Sequence, residues 1–314
     1  MRSKKIELIT SVVRGVYDLQ MLRMQMGARL AANFGAKLKE HGLIKDDTDL
    51  EEEQEKILDR VREDYRLLTS GIARNRTLPE REGFVGTPLI SNFSELTIVH
   101  QFIELEKQEA KQFRLLGDLL EDVPIYTDYL KHQKGVGPAM GGVLVTCLDP
   151  YKARHVSAFW KYAGLDVAAD GRGRSRREEH MVERDYIDKK GKPQTRMGLT
   201  HNPWLKTKMF VLAGSFMRKA SPWTESYRGY KHRLETDPAR EKISLADWKK
   251  KNDAGEPVIH LWPPGRIENA ARRYMIKQFL ADFWLVWRKM EGLPVTAPYH
   301  EAILGHKHRG EAAE

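Results

Sequence analysis

The sequence contains only one cysteine among its 314 residues. A single thiol can form no disulfide within the chain, and it excludes metal sites built from several cysteines. Cys147 lies in the apolar run 142–148, where a small buried side chain is its expected role. Long apolar runs are absent as well, because none approaches the roughly 20 residues that a membrane-spanning helix needs. With no signal peptide recognisable either, we expect a cytoplasmic protein without a membrane partner.

Positive charge is concentrated in the second half of the chain. The whole sequence carries a formal net charge of +9, which by itself is a weak indication of any partner. Residues 1–130 carry a net charge of −4, whereas residues 131–314 carry +13. An asymmetry of this kind is typical of proteins that bind nucleic acid or another anionic surface. The pattern therefore predicts that the second half binds a polyanion.

Hydrophobic periodicity predicts a mainly α-helical protein. Apolar residues recur at every third or fourth position from Lys5 to His41, and two further long helical patterns precede residue 130. These helices predict a coiled-coil arm or a bundle over residues 1–130, through which two copies would form a homodimer. Residues 131–305 are predicted to form a helical core. Within and after that core we expect a small β-hairpin between residues 178 and 198, an insertion loop over residues 237–264, and a flexible tail over residues 306–314.

The segment Lys134-Gly135-Val136-Gly137 has the spacing of the turn in a helix-hairpin-helix motif. Pro138 follows it at what would be the first position of the next helix. In such a turn, backbone N–H groups at the helix N-terminus hold a phosphate, which makes Lys134, Gly135 and Gly137 candidate nucleic-acid contacts. The alternative is an ordinary connection between two helices, whose glycines are needed for positive φ angles.

Residues 170–177, here called the arginine loop, form the second segment suited to phosphate binding. The loop contains four arginines and almost no apolar residues, and glycines 171 and 173 would let the backbone approach a ligand closely. Guanidinium groups bind phosphates in a bidentate way and stack on bases, so a nucleic-acid contact is favoured over an idle solvated loop. The candidate contacts in this loop are Arg172, Arg174, Ser175, Arg176 and Arg177.

Ser175 is also a weak catalytic candidate. Arginines surround it and would hold a phosphate and lower its pKa, as serine recombination requires, although a small residue packed in a tight loop is the competing interpretation. A two-metal nuclease needs acidic residues on a hydrophobic strand, and no such set is evident. We predict no metal site, and Mg²⁺ would be needed only by a catalytic protein. Four acidic residues are candidate metal ligands only through their proximity in the sequence, namely Asp149, Asp166, Asp170 and Asp185. The tail adds two further candidate ligands, His306 and His308.

Several short motifs give the second half a resemblance to the C-terminal domain of the insertion-sequence transposases that use a bridge RNA. The resemblance covers residues 130–300. The matching segments are residues 134–138, Phe-Trp-Lys-Tyr-Ala-Gly-Leu at 159–165, the arginine loop, Asn-Pro-Trp-Leu-Lys-Thr-Lys at 202–208, and Ala-Ala-Arg-Arg-Tyr at 270–274. Beyond the contacts named above, these segments add the candidate nucleic-acid contacts Lys161, Lys206, Lys208, Arg272 and Arg273.

The chain departs from those transposases in two places. They begin with a RuvC-like nuclease domain that supplies acidic metal ligands, whereas this chain begins with the helix from Lys5 to His41. In the transposases the residues after Ala-Gly-Leu lead to a nucleophilic serine, but here residues 166–171 contain none and the next serine is Ser175. The resemblance therefore implies the half that handles RNA and DNA without the nuclease.

A helical arm followed by such a core is similar to the Nop domain of box C/D ribonucleoproteins. The standalone Tas proteins of tandem-interspaced-guide-RNA systems combine a Nop-like arm with a transposase-like core, and this chain resembles them. The resemblance implies RNA-guided binding of DNA without intrinsic nuclease, with guide RNA and DNA as partners, in a nucleoid-associated protein of bacterial or phage origin. The alternatives are an active transposase or recombinase that performs DNA strand transfer, and a plain helix-hairpin-helix DNA-binding protein.

Overall fold

A computed structural model describes residues 4–40, 50–72 and 76–295 of the chain. The chain divides into two compact units, of which the first is Leu8–Asp118 and the second is Leu119–Glu314 together with Met1–Glu7. The described residues form ten α-helices and one two-stranded antiparallel sheet, which confirms the predicted class, mainly α with a small β-hairpin. The predicted boundary after residue 130 lies within the second unit.

The first unit is built from three long helices, α1 (Lys4–Glu40), α2 (Leu50–Thr69) and α3 (Phe93–Glu121). Their apolar stripes meet in one core, which also takes in Leu89 and Ile90 from the connection before α3. Each helix contributes several buried side chains to that core, among them Leu30, Phe34 and Leu38 from α1, Ile57, Leu58 and Val61 from α2, and Leu96, Val99 and Phe102 from α3. The packing accounts for the period of three to four residues in the sequence, because burial selects one face of each helix.

The second unit contains the remaining helices and the sheet. Two 3-10 turns, Leu130–His132 and Glu178–His180, precede α5 and the first strand, respectively. The helices are α4 (Pro124–Thr127), α5 (Pro138–Cys147), α6 (Val156–Tyr162), α7 (Pro203–Arg218), α8 (Trp223–Thr236), α9 (Leu245–Asp253) and α10 (Pro264–Met290).

Helix α10 supplies the centre of the second unit's core. The rings of Phe279, Phe283 and Trp284 are fully buried, and Phe279 meets Phe216 of α7 edge to face with 5.2 Å between ring centroids. The indole Nε1 of Trp284 donates a hydrogen bond of 2.8 Å to the carbonyl of Ala153. Burial places these rings in the core of the unit, where large aromatic side chains contribute much of the packing.

The predicted β-hairpin is confirmed. Strand β1 (Met181–Ile187) pairs antiparallel with β2 (Pro193–Leu199). The Asp188 side chain closes the turn, because its Oδ1 accepts hydrogen bonds from the backbone N–H groups of Lys190 at 2.8 Å and Lys192 at 2.9 Å. Residues 182–187 and 189–197 are all exposed, so most of this ribbon is free of packing against the rest of the described chain.

The prediction of an insertion loop over residues 237–264 is wrong for nine of its residues, which form α9. Ser244 caps that helix, since its side chain accepts a hydrogen bond of 3.1 Å from the backbone N–H of Asp247. No residue of α9 is buried, so the helix has no apolar stripe that periodicity could detect. The Ser-x-x-Asp pattern of the cap was the sequence feature from which this helix could have been predicted.

The predicted tail, residues 306–314, lies outside the described residues, and so do His306 and His308. Among the helices that are described, none combines the length and the apolar character needed to cross a membrane.

Candidate nucleic-acid interface

The arginine loop is folded back on the residues before it. The backbone N–H of Ala168 donates to the carbonyl of Arg172 at 2.8 Å, and that of Gly171 donates to the carbonyl of Ala168 at 3.0 Å. Gly171 has a φ of +73°, which glycine adopts without the strain that a side chain would add. The reversal brings the Arg174 guanidinium to Asp166, with 2.9 Å between Nε and Oδ2.

A hydrogen-bonded chain joins Asp170, His180 and Ser175. The buried His180 ring has its Nε2 at 3.2 Å from Asp170 Oδ2 and its Nδ1 at 2.9 Å from Ser175 Oγ. The backbone N–H of Ser175 also points at Nδ1, at 3.0 Å. Because an N–H can only donate, Nδ1 is the unprotonated nitrogen and Nε2 carries the proton that faces the carboxylate. The hydroxyl of Ser175 therefore lies beside an unprotonated nitrogen that already accepts the backbone N–H of the same residue.

The carboxylate of Asp170 is kept ionised by its hydrogen bonds. Burial alone would raise its pKa, but the backbone N–H of Arg172, at 2.9 Å from Oδ1, and the His180 ring outweigh burial and hold the pKa below its usual value. An ionised Asp170 orients the His180 ring and fixes its tautomer, as a carboxylate does for the histidine of a catalytic serine.

A cavity of about 290 Å³, here called the cationic pocket, lies beside Ser175. Three segments that are distant in sequence form it: the arginine loop, helix α7 and helix α10. Its wall has an apolar part, made by residues such as Met209 and Ile276, and a polar part. The polar and aromatic residues that the following argument uses are Arg174, Ser175, Lys206, Phe210, Arg272 and Arg273.

Arg273 is a half-buried cation with no hydrogen bond or ion pair to any described residue. Its guanidinium lies against Gly173, where an added Cβ would come within 2.7 Å of Nη1. Burial lowers the pKa of Arg273, although a guanidinium stays protonated at physiological pH. The position thus holds a permanent positive charge that is partly desolvated and that nothing in the described chain neutralises.

Two lysines lie near Arg273, and its positive charge lowers the pKa of each. Burial lowers the pKa of Lys206, and the positive charge of Arg273 lowers it further. The same two causes, in the same order, lower the pKa of Lys277, which lies one helical turn beyond Arg273. Lys206 donates a hydrogen bond to the carbonyl of Arg174, and Lys277 has its Nζ 5.1 Å from the ring centroid of Trp160. Neither contact supplies a negative charge.

Asp166 is the acid that opposes these cations. Its charge raises the pKa of both lysines, but it is already paired with Arg174. Its other oxygen, Oδ1, is buried and has no hydrogen-bond partner among the described residues. Lys206 and Lys277 therefore share an acid that is already paired with Arg174, and Arg273 beside them has no acidic partner among the described residues. This excess of positive charge favours the binding of an anion.

Phe210 adds an aromatic surface to the pocket. Phe210 is 52% exposed, whereas Met209 and Leu212 on the same helix are buried. The guanidinium carbon of Arg272 is 4.9 Å from the Phe210 ring centroid, and Arg272 Nε donates to Glu268 at 2.8 Å. An exposed ring with a cation beside it is the combination on which single-stranded nucleic acids stack.

The predicted helix-hairpin-helix turn lies apart from the pocket lining. Gly135 has a φ of +97°, and an added Cβ would come within 2.9 Å of the Phe216 ring. The hydroxyl of Ser215 donates to the Gly135 carbonyl at 2.8 Å. Close packing against α7 therefore accounts for this glycine, while Lys134 and Gly137 are exposed before the start of α5.

The structure brings together part of the predicted contact set. The cationic pocket gathers Arg174, Ser175, Lys206, Arg272 and Arg273. The other predicted contacts do not line it: Lys161, Arg176 and Arg177 are exposed, Arg172 is half-buried, and Lys208 lies over the Trp204 ring.

The acidic residues that were candidate metal ligands do not point to a common site. Asp166 pairs with Arg174, Asp170 with His180, and Asp149 accepts a hydrogen bond from the backbone N–H of Tyr151. Asp185 is exposed on the hairpin. Within the described ranges, no three His, Cys, Asp or Glu side chains are grouped as a metal site would require.

Sequence reasoning missed His180, Lys277 and Phe210. A weak signal existed for two of them: Ser175 lies midway between Asp170 and His180, and Lys277 follows Arg273 by one helical turn. Nothing in the sequence distinguished Phe210 from a core residue of α7, because its position fits the apolar pattern of that helix.

Comparison with known proteins gave no match, whether with protein-family models, with curated proteins or with solved structures.

Proposed function

We propose that this protein binds nucleic acid and that the cationic pocket holds a backbone phosphate. The observation that carries the proposal is the pair of half-buried cations in the pocket wall, Lys206 and Arg273, with a third cation, Lys277, near Arg273 outside the lining. The carboxylate that acts on the two lysines, Asp166, is already paired with Arg174. A phosphate would supply the missing negative charge, and charge-assisted hydrogen bonds to it are among the stronger ones in proteins. An anion at this position would raise the lowered pKa values of both lysines.

A polymer fits the surroundings of the pocket better than a small free anion. Exposed Arg176 and Arg177 follow directly on Ser175, so the positive charge continues outside the pocket. Phe210 offers a stacking surface for a base next to the phosphate position. The net charge of +13 over residues 131–314 supports a long anionic ligand in the same way.

The finer proposal is RNA-guided binding of DNA without intrinsic nuclease, and it rests on the resemblance to Tas proteins and bridge-RNA transposases. In this scheme the protein grips the backbone of a guide RNA, while base pairing between guide and target reads the DNA sequence. The helical arm of the first unit would join two copies into a homodimer.

Two measurements test the proposal. The protein is purified from its host, the bound nucleic acid is sequenced, and a single defined small RNA is the expected result. Binding of that RNA is then compared for the wild type and the variant Lys206→Gln/Arg273→Gln at several salt concentrations. We expect weaker binding and a salt slope reduced by about two, since each phosphate contact contributes roughly one unit. Purification without RNA would refute the guided function. Unchanged affinity and an unchanged salt slope in the variant would refute the pocket as the phosphate site.

One observation favours a second candidate, DNA strand transfer, namely the 2.9 Å contact between Ser175 Oγ and His180 Nδ1. In that reaction Ser175 Oγ would attack the phosphorus of a backbone phosphate in the pocket and lose its proton to Nδ1. The bond from phosphorus to the leaving nucleoside oxygen would break, and that oxygen would take up a proton from the solvent. Arg273 would stabilise the charge that develops on the phosphate.

A covalent adduct separates the two candidates. Strand transfer by serine predicts a protein–DNA species that survives denaturing electrophoresis and is abolished in Ser175→Ala. The binding function predicts no such species, and it predicts that Ser175→Ala still binds RNA and DNA. An adduct that depends on Ser175 would overturn our first choice.

A further inference from the structure

The β-hairpin presents two faces of opposite character. Side chains alternate along each strand, so residues directly opposite one another share a face. One face, here called the basic face, carries Val182, Arg184, Tyr186, Gln194 and Arg196. The other, the acidic face, carries Glu183 and Asp185 together with Ile187, Thr195 and Met197. Both faces are exposed along most of the ribbon.

The basic face places two arginines directly opposite each other. Arg184 pairs with Arg196 in the strand register, and like charges at such positions destabilise a hairpin. Arg196 lies over the Tyr186 ring, at 4.9 Å from its centroid, whereas Arg184 extends along Gly198, where an added Cβ would be 3.0 Å from Arg184 Cδ. Neither arginine forms an ion pair with a described residue. The Tyr186 ring offsets part of the repulsion, but no ion pair within the described chain does. The remaining positive charge favours an anionic partner for this face.

The tip of the hairpin extends the positive charge. Lys189, Lys190 and Lys192 are all exposed there, and the turn that carries them is closed by the Asp188 side chain. An isolated two-stranded hairpin is only marginally stable in water, so a partner that covers one face would stabilise it. The cations of the tip and of the basic face would contact the same polyanion.

We propose that this hairpin lies in the major groove of duplex DNA with its basic face against the base edges and phosphates. The inference rests on the proposed function, that the protein binds nucleic acid. The major groove of B-form DNA is about 12 Å wide and admits a two-stranded β-ribbon, whereas the major groove of A-form RNA is too narrow for protein side chains to read. Strands of seven residues span about 20 Å, a little over half a turn of the duplex.

Charge determines the orientation of the hairpin. Phosphates would repel Glu183 and Asp185, so the acidic face must point away from the groove. The guanidinium groups of Arg184 and Arg196 are then free to contact guanine edges or phosphates, as arginine does in other major-groove complexes. Lys189, Lys190 and Lys192 would reach the backbone at the groove edge.

The test compares the two faces with matched double variants. Arg184→Gln/Arg196→Gln removes two charges from the basic face, and Glu183→Gln/Asp185→Asn removes two from the acidic face. Affinities for duplex DNA, duplex RNA and single-stranded RNA are measured by fluorescence anisotropy at several salt concentrations. For the basic-face variant we expect about tenfold weaker binding of duplex DNA, a salt slope lower by about two, and RNA affinities within about twofold of wild type. The acidic-face variant should bind duplex DNA as well as the wild type or more tightly.

A modified duplex tests the groove itself. DNA whose cytosines carry glucosylated hydroxymethyl groups has a filled major groove, so the wild type should bind it about tenfold more weakly than plain DNA. The basic-face variant should show little of this discrimination, because it has already lost the groove contact. Circular dichroism and thermal melting establish that all variants are folded, as expected for substitutions of exposed side chains.

Any one of four results would overturn the inference. The basic-face variant could bind duplex DNA normally while Lys206→Gln/Arg273→Gln binds it weakly, in which case the protein binds nucleic acid without using the hairpin. Both face variants could lose the same affinity, or duplex RNA could suffer the same loss as duplex DNA, in which case the groove is not the site. If the wild type binds no nucleic acid, the proposed function fails as well.

Discussion

Replacing Arg273 by methionine should stabilise the protein and weaken its binding of nucleic acid. Arg273 is half-buried, its pKa is lowered by burial, and it forms no ion pair with a described residue. Methionine fills a similar volume without a charge to desolvate. Exchanging fully buried ionic groups for apolar ones can stabilise a protein by about 1–4 kcal/mol. For a half-buried group we expect about 1 kcal/mol, which corresponds to an increase of about 2–4 °C in Tm for a unit of this size.

The expected loss of binding follows from the same charge. One charge-assisted hydrogen bond to a phosphate contributes about 1.5–3 kcal/mol, so Arg273→Met should weaken nucleic-acid binding by roughly 10- to 100-fold. The slope of log affinity against log salt should fall by about one. Inorganic phosphate should also raise the Tm of the wild type more than that of the variant, because it binds the folded pocket.

The control is Arg228→Met on α8. The side chain of Arg228 is 68% exposed, and it forms a surface pair with Glu225 at 3.5 Å. Its replacement removes the same charge and should leave both Tm and affinity nearly unchanged. The assays are differential scanning calorimetry and salt-dependent fluorescence anisotropy. A variant at Arg273 that melts below the wild type and binds as tightly would show that this arginine is structural and that the pocket holds no phosphate.

Three further predictions address the pocket and the arm. Gly173→Ala should weaken nucleic-acid binding about fivefold with little change in Tm, because its Cβ would meet the flexible end of Arg273, 2.7 Å from Nη1; normal affinity in anisotropy titrations would contradict this. Lys206→Met should be more stable than the wild type at neutral pH, and denaturant titrations should show the difference shrinking as pH rises towards about 10.5. The reason is that the unfolded chain keeps the Lys206 proton in that range while the folded chain, with its lowered pKa, releases it, so a constant difference would refute the argument. Leu22→Asp on α1, where Met21 and Leu22 are exposed, should convert a dimer into a monomer in light scattering, and an unchanged mass would exclude this surface as the dimer contact.

The sequence alone predicted the helices that pack a core, because burial on one face leaves a period in the apolar residues. It predicted the hairpin from two alternating segments on either side of the turn at residues 189–192. It failed for α9, which buries nothing and so leaves no period. For Gly135 the sequence left a phosphate contact and an ordinary helix connection open, and only the structure shows its close packing against Phe216. Both outcomes have one cause: a local pattern does not record which surface a residue will face after folding.

The pocket was predictable only in its parts. The arginine loop marked Arg174 as a candidate, and the segments that resemble bridge-RNA transposases added Lys206 and Arg273 separately. Tertiary structure decided that they meet in one cavity, that Arg273 has no acidic partner among the described residues, and that Ser175 contacts His180. Burial and the balance of charge depend on three segments that folding brings together. The sequence determined which charges the protein carries, whereas the fold decided which of them are buried without a partner of opposite charge.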